Sequence, residues 1–158
     1  MEETKAITIT TIMPTLVFDG NTREAFDFYK SVFGAELSAL LRYRDLEGAS
    51  GVPAHELDRI AHITLPLGNA QVLMASDNLE AFRESVVVGN NFYIMIEPES
   101  AEDASRLFDA LSDEGRVQMP LEATEWAEGF GQCVDRFGIQ WMINYTGSSR
   151  SDGPAEGS

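Results

Sequence analysis

Cysteine is almost missing from this chain. Its one example, Cys133, excludes an internal disulfide and a cysteine-rich zinc site. Lying inside a predicted strand, it reads as a small buried apolar residue rather than a nucleophile. Histidine is nearly as scarce, with only His55 and His62. Positive charge is short as well: 11 basic residues stand against 26 acidic ones, a formal net charge of −15 that repels nucleic acid and anionic membrane. Neither is expected as a partner. No apolar run approaches the roughly 18 residues of a membrane helix. The opening MEETK lacks the basic start and apolar middle of a secretory signal, so a cytoplasmic location is the expectation.

What is present is globular. At 158 residues, 44% of them apolar, the chain can build one core or two small similar halves that share one. The clearest stretch is Gly131 to Tyr145, which predicts a β-hairpin turning at Asp135-Arg136-Phe137-Gly138. In its second arm Ile139, Trp141, Ile143 and Tyr145 fall on one face and Gln140, Met142 and Asn144 on the other. The first face belongs to a core; the second is where function is sought.

The order of elements can be read along the chain. Residues 7–18, rich in β-branched types, predict a strand with Pro14 as an edge or bulge signal. Asn21 or Thr22 caps a helix whose stripe is Ala25, Phe26, Tyr29, Val32 and Phe33, ending at Gly34. A strand over 35–44, a long polar loop over 45–58, and a hairpin of 59–67 with 70–77 follow. In 59–67, Ala61, Ile63, Leu65 and Leu67 alternate with Ile60, His62, Thr64 and Pro66. After a linker, residues 90–98 predict a strand with Phe92, Ile94 and Ile96 facing opposite to Asn91, Tyr93, Met95 and Glu97. Ser100 caps a second helix with stripe Ala104, Leu107, Phe108 and Leu111, and residues 116–120 form a strand before the closing hairpin. Residues 146–158 read as a floppy Ser/Gly-rich tail. The order is strand, helix, three strands, given twice at a spacing near 75 residues.

Four stretches, FDGNTREAFDFYKSVFGAEL, IAHITLPLGNAQVLMASD, GNNFYIMIEPES and QMPLEATEW with GFGQCVDRFGIQWMINY, carry a family likeness. Over residues 7–145 the chain resembles the PhnB-like branch of the vicinal oxygen chelate superfamily, the glyoxalase, bleomycin-resistance and dioxygenase fold. The resemblance implies an α+β fold of two βαβββ modules, about 7–77 and 90–145. Their mixed sheets curl around a cup with helices outside, usually in a homodimer.

Metal-dependent members of that superfamily take ligands from the first, fourth, fifth and eighth strands. Carried over by position, these fall at Met13 or Pro14, at Met74 or Leu73, at Asn91 and at Met142. Thioethers and amides are poor donors to zinc, iron or nickel, so the usual metal is disfavoured and no cofactor is expected. Some PhnB-like sequences carry a ubiquinone-precursor methyltransferase label, yet no glycine-rich strand-to-helix turn for a methyl donor is present here.

Candidate site residues are weighed against plainer roles. His62 falls on the cup face and could act as a base or ligand, or simply be a hydrogen-bonded structural histidine; His55 lies in the polar loop. Asp77 and Glu97 end strands, where turn chemistry and a hydrated rim are the plain alternatives. Tyr43, Trp126 and Phe130 are candidates for an aromatic lining, with Tyr93 and Asn91 beside them on the cup face. Met13, Met74, Met95 and Met142 give either an adaptable apolar wall or ordinary core packing. The expectation is a dimeric cup that binds a small organic molecule without the usual metal. A lyase- or dioxygenase-like enzyme with a site relocated to His62, Glu97 and Asp77, and a non-catalytic dimeric interaction protein, are the alternatives.

Overall fold

The computed structural model describes residues 5–148. The elements are β1 (Thr15–Phe18), α1 (Thr22–Phe33), β2 (Ala39–Arg42), β3 (Ile60–Gly68), β4 (Gln71–Asp77), β5 (Ile94–Ile96), α2 (Ala101–Ser112), β6 (Arg116–Glu122), β7 (Gly129–Val134) and β8 (Gln140–Tyr145). They form two four-stranded mixed sheets, ordered β1-β4-β3-β2 and β5-β8-β7-β6. In each, the first strand runs parallel to the fourth and the other pairs are antiparallel. The predicted α+β fold of two βαβββ modules is therefore the fold observed.

One compact unit holds the described residues up to Phe26 with Ala35–Val86; the other holds Asp27–Gly34 with the described residues from Val87 onward. The division cuts α1 after Phe26, so its last turns belong with the second sheet rather than with the module expected over 7–77.

Helix starts follow local chemistry. In α2 the Ser100 hydroxyl accepts from Asp103 N at 3.0 Å, and Glu102 and Asp103 place negative charge at the first turn. Its buried stripe is Ala104, Phe108 and Leu111. The helix ends before Glu114, which takes a positive φ of 60°. Gly115 follows for a different reason: any Cβ there would collide with the Val134 carbonyl of β7.

Three predicted strands are shorter than their sequences suggest. β1 covers 15–18 rather than 7–18, and its parallel register sets Thr15 against Met74. That register would carry residues before Ile12 past Gln71, where β4 begins, so a strand-like sequence runs out of partner. β5 covers 94–96 rather than 90–98 because Ile94 lies opposite Trp141, one residue from the start of β8. Phe92, expected to face a core, is 63% exposed. β2 is confined to 39–42, and the loop after it is wound into three 3-10 turns at Tyr43–Asp45, Ala49–Gly51 and Ala54–Glu56.

Each sheet has a covered and an open face. In the first, Leu16, Phe18, Ile63, Leu65, Leu73 and Ala75 are buried on the covered side. In the second, Cys133, Trp141 and Ile143 are fully buried, and Tyr29 and Phe33 of α1 lie against the Trp141 ring at centroid distances of 5.6 and 5.8 Å. Two buried aspartates lock these layers. Asp77 Oδ1 accepts from Gly20 N, Thr22 N and Thr22 Oγ1, and Oδ2 accepts from Ile60 N, which fastens the start of α1 and of β3 to the end of β4. Asp135 shapes the closing turn by accepting from Phe137 N and Ile139 N at Oδ1. Its Oδ2 accepts from Tyr29 Oη at 2.5 Å and Trp141 Nε1 at 2.8 Å.

Of the expected tail, only residues 146–148 are described. Ser148 donates from both its backbone N and its hydroxyl to the Glu128 carboxylate. The remainder of the tail, 149–158, lies outside the described residues.

Candidate functional site

Strand register lays out the open face of the second sheet. Met95 lies opposite Met142, Met142 opposite Gln132, and Gln132 opposite Met119. This row crosses all four strands, three thioethers with one amide between them. The next row places Phe130 against Asn144 and against Glu122. Asn144 is buried, and its Nδ2 donates to Glu97 Oε1 at 3.4 Å. That contact fixes the amide orientation, since the flipped form would set two oxygens together. Its Oδ1 is left buried with no partner. Trp126, 54% exposed, meets Phe130 edge-on with centroids 5.4 Å apart.

On the other side of the methionine row lies an amide chain. Tyr93 Oη donates to Gln118 Oε1 at 2.9 Å, Gln118 Nε2 to Gln140 Oε1 at 3.2 Å, and Gln140 Nε2 to the Phe92 carbonyl at 2.7 Å. The face is thus soft and apolar in the middle, with polar groups at both ends. Gln118, Met119 and Gln132 were not found by reading the sequence. The irregularity between Val117 and Met119 breaks the alternation of β6, so no period-two pattern marks which residue reaches that face.

The open face of the first sheet is smaller in chemistry. Met74 lies between Thr15 and Thr64, and His62 Nε2 is 2.8 Å from Thr64 Oγ1. Of the two fourth-strand candidates, Leu73 is fully buried on the covered side and Met74 is the one on the open face. His62 is a histidine bonded to its own strand, with Leu41 opposite it on β2.

The predicted site residues therefore divide. Tyr93, Trp126, Phe130 and Met142 share one face of the second sheet, and His62 and Met74 share one face of the first. Asn91 joins neither: it is exposed in a bend before β5, and Met95 is the residue beside Met142. The reason is the short ladder of β5, which leaves Asn91 without a paired neighbour. Tyr43 sits in a 3-10 turn with its hydroxyl donated to the Asp77 carbonyl at 2.8 Å. Burial, then the Asp77 carboxylate, raises its pKa.

Asp77 must be removed from any relocated metal or acid–base site. It is 2% exposed, lies on the covered face, and spends its carboxylate on backbone and hydroxyl donors. Among the described residues no three His, Cys, Asp or Glu side chains are grouped to hold a metal ion. Cys133 is wholly buried; burial, and after it Asp135, push the thiol up to about 12, so it stays protonated and unreactive. No helix among the described residues is long and apolar enough to cross a membrane.

Comparison with known proteins agrees with this architecture. A family model described as 3-demethylubiquinone-9 3-methyltransferase matches residues 10–144. The solved structure of PA1353 from Pseudomonas aeruginosa is 41% identical, covering 87% of this chain and 98% of its own, with a TM-score of 0.74. A PhnB protein from Bacillus cereus, titled a putative 3-demethylubiquinone-9 3-methyltransferase, is 23% identical over 86% of this chain and 99% of its own, with a TM-score of 0.68. Protein YjdN of Escherichia coli strain K12 is 28% identical, covering 84% of this chain and 93% of that protein. The chain belongs to the PhnB-like family of this model, and it shares its fold with a glyoxalase, bleomycin-resistance and dioxygenase domain from Frankia that is 8% identical.

Proposed function

We propose that this protein binds a small organic molecule against the open face of its second sheet, without using the superfamily's usual metal. The observation that carries the reading is the Met95–Met142–Gln132–Met119 row, in which the eighth-strand ligand position of the resemblance, Met142, is flanked by thioethers and an amide rather than by chelating side chains. Trp126 and Phe130 supply an aromatic flank for a flat ligand.

The methyltransferase description of the family model is not extended to this chain. Methyl-donor sites of the common type open at a glycine-rich turn between a parallel strand and a helix. Here the β1-to-α1 junction is closed instead, because Asp77 takes the N–H groups of Gly20 and Thr22.

The two tryptophans provide the test. Trp126 is on the proposed face and Trp141 is fully buried, so ligand contact quenches the first and spares the second. The experiment screens planar and apolar small molecules by fluorescence, then repeats each hit with Trp126→Phe and Met142→Glu. Binding lost in Met142→Glu, with quenching lost in Trp126→Phe, supports the proposal. Hits that ignore Met142, or a molecule retained through a tightly bound divalent metal in native mass spectrometry, overturn it.

A further inference from the structure

We propose that the methionine row of the second sheet is a site of reversible oxidation: a hydroperoxide converts Met95 and Met119, then Met142, to sulfoxides and so closes the open face to apolar ligands. The inference rests on the proposed binding face and names its regulation. Of the described methionines, Met95 and Met119 are the most open, at 51 and 44%, followed by Met13 at 41%, with Met74 and Met142 half-buried. Register sets Met95 directly opposite Met142 and sets Gln132 between Met142 and Met119, so two open thioethers bracket a half-buried third. Leucine would make the same wall in volume and apolarity. What sulfur adds is a lone pair that an oxidant can reach.

The one thiol does not compete for the oxidant. Cys133 is wholly buried on the covered face of the same sheet, and burial, then Asp135, keep it protonated. Thiol oxidation runs through an accessible thiolate. An oxidant arriving at this sheet therefore meets thioethers. In the step itself the sulfur lone pair attacks the outer oxygen of the peroxide, and the S–O bond forms as the O–O bond breaks. The proton of that oxygen passes to the leaving oxygen, which departs as water or an alcohol. Sulfur gives up two electrons and the peroxide takes them. A dithiol-dependent sulfoxide reductase reverses the change, yielding water and a disulfide.

Each sulfoxide puts a strong hydrogen-bond acceptor in the middle of the face. β5, β7 and β8 carry no charged residue, and Gln132 is the one polar side chain of the row, so the new acceptors turn to water. An apolar ligand must strip that water without replacing its hydrogen bonds, which weakens binding by about tenfold or more. The fold is spared, because the row lies on the open face and the core lies on the covered one. Coupling is reciprocal: whatever oxidation does to the ligand, the ligand does to oxidation.

The test uses the full-length chain, hydrogen peroxide and Nile red, a flat neutral dye that brightens on apolar surface. Unoxidised wild type is expected to bind the dye, more weakly after Met142→Glu. Peptide mass spectrometry is expected to find sulfoxide at Met95 and Met119 before Met142, while circular dichroism stays as it was. Dye affinity should then fall at least about tenfold and return with a sulfoxide reductase and dithiothreitol. Saturating dye should slow oxidation at Met95 and Met119 and leave Met13 unchanged. Met95→Leu, Met119→Leu and Met142→Leu together should keep their starting affinity through peroxide, whatever it is, whereas Met13→Leu should lose it as the wild type does. Oxidised wild type that binds as tightly as before, or sulfoxide at Met13 alone, overturns the switch and leaves the binding face standing. A dye that ignores the unoxidised protein, or ignores Met142→Glu, overturns the binding face and this inference with it.

Discussion

Replacing Asp135 by alanine tests whether one carboxylate joins the closing hairpin to α1. Asp135 is 3% exposed and accepts four hydrogen bonds, from Phe137 N, Ile139 N, Tyr29 Oη and Trp141 Nε1. Removing it strands the Tyr29 and Trp141 donors in the core and frees two turn amides. Each buried donor left without a partner costs about 1–3 kcal/mol, and the two turn amides regain water at a smaller cost. The expected loss is about 4 kcal/mol, a large share of the roughly 5–15 kcal/mol that holds a domain folded. Tyr29→Phe removes one charge-assisted bond and should cost about 2 kcal/mol. Asp135→Ala with Tyr29→Phe should then cost less than the two losses added, by about 1–2 kcal/mol, since the second change removes an already broken bond. Urea titration of Trp141 fluorescence in a Trp126→Phe background reads all four variants from one buried reporter. A loss below about 1 kcal/mol for Asp135→Ala, or strict additivity with Tyr29→Phe, would refute the reasoning.

Further expectations follow from other contacts. Gly131→Ala places a Cβ 2.7 Å from Phe108 Cε1 and 3.0 Å from the Leu121 Cα, so thermal denaturation should show a loss of about 1–3 kcal/mol that Phe108→Leu partly restores. Alkaline unfolding should begin early. Cys133 is pushed up to about 12 from an ordinary 9.0, and burial raises Tyr29 far above its ordinary 10.0. The folded state therefore keeps protons that the unfolded chain releases. Stability is full below about pH 9 and falls by about 1.4 kcal/mol per pH unit per group above it; Cys133→Ala should move the onset to near pH 10 in urea titrations, and a flat profile would contradict this. Met95→His, Met142→Glu and Gln132→His together put three metal donors on neighbouring strands, about 5 Å apart between adjacent Cβ atoms. That variant should bind cobalt with a visible tetrahedral spectrum, whereas the same variant with Asn91→His in place of Met95→His should not.

The sequence by itself determined the modules. Alternation in 59–67 and 139–145, the apolar stripes of both helices, Ser100 as a cap and the Asp135–Gly138 turn are local signals, and local signals survive without knowing what lies alongside. The absence of ligand chemistry at Met74 and Met142 was also legible, because residue type decides donor strength. Strand length was not. Residues 7–13 and 90–93 read as strand, yet a ladder extends only as far as its neighbour does, and the starts of β4 and β8 are facts of pairing. The same dependence hid the site. Register alone sets Met95 beside Met142 in place of Asn91, and an irregularity in β6 alone brings Met119 into that row. Asp77 looked like turn chemistry at a strand end and became a buried clasp, because the donors at Gly20, Thr22 and Ile60 come from segments far along the chain. Side-chain type and period are written in the order of residues, whereas which strand lies opposite which is decided only when the sheets close.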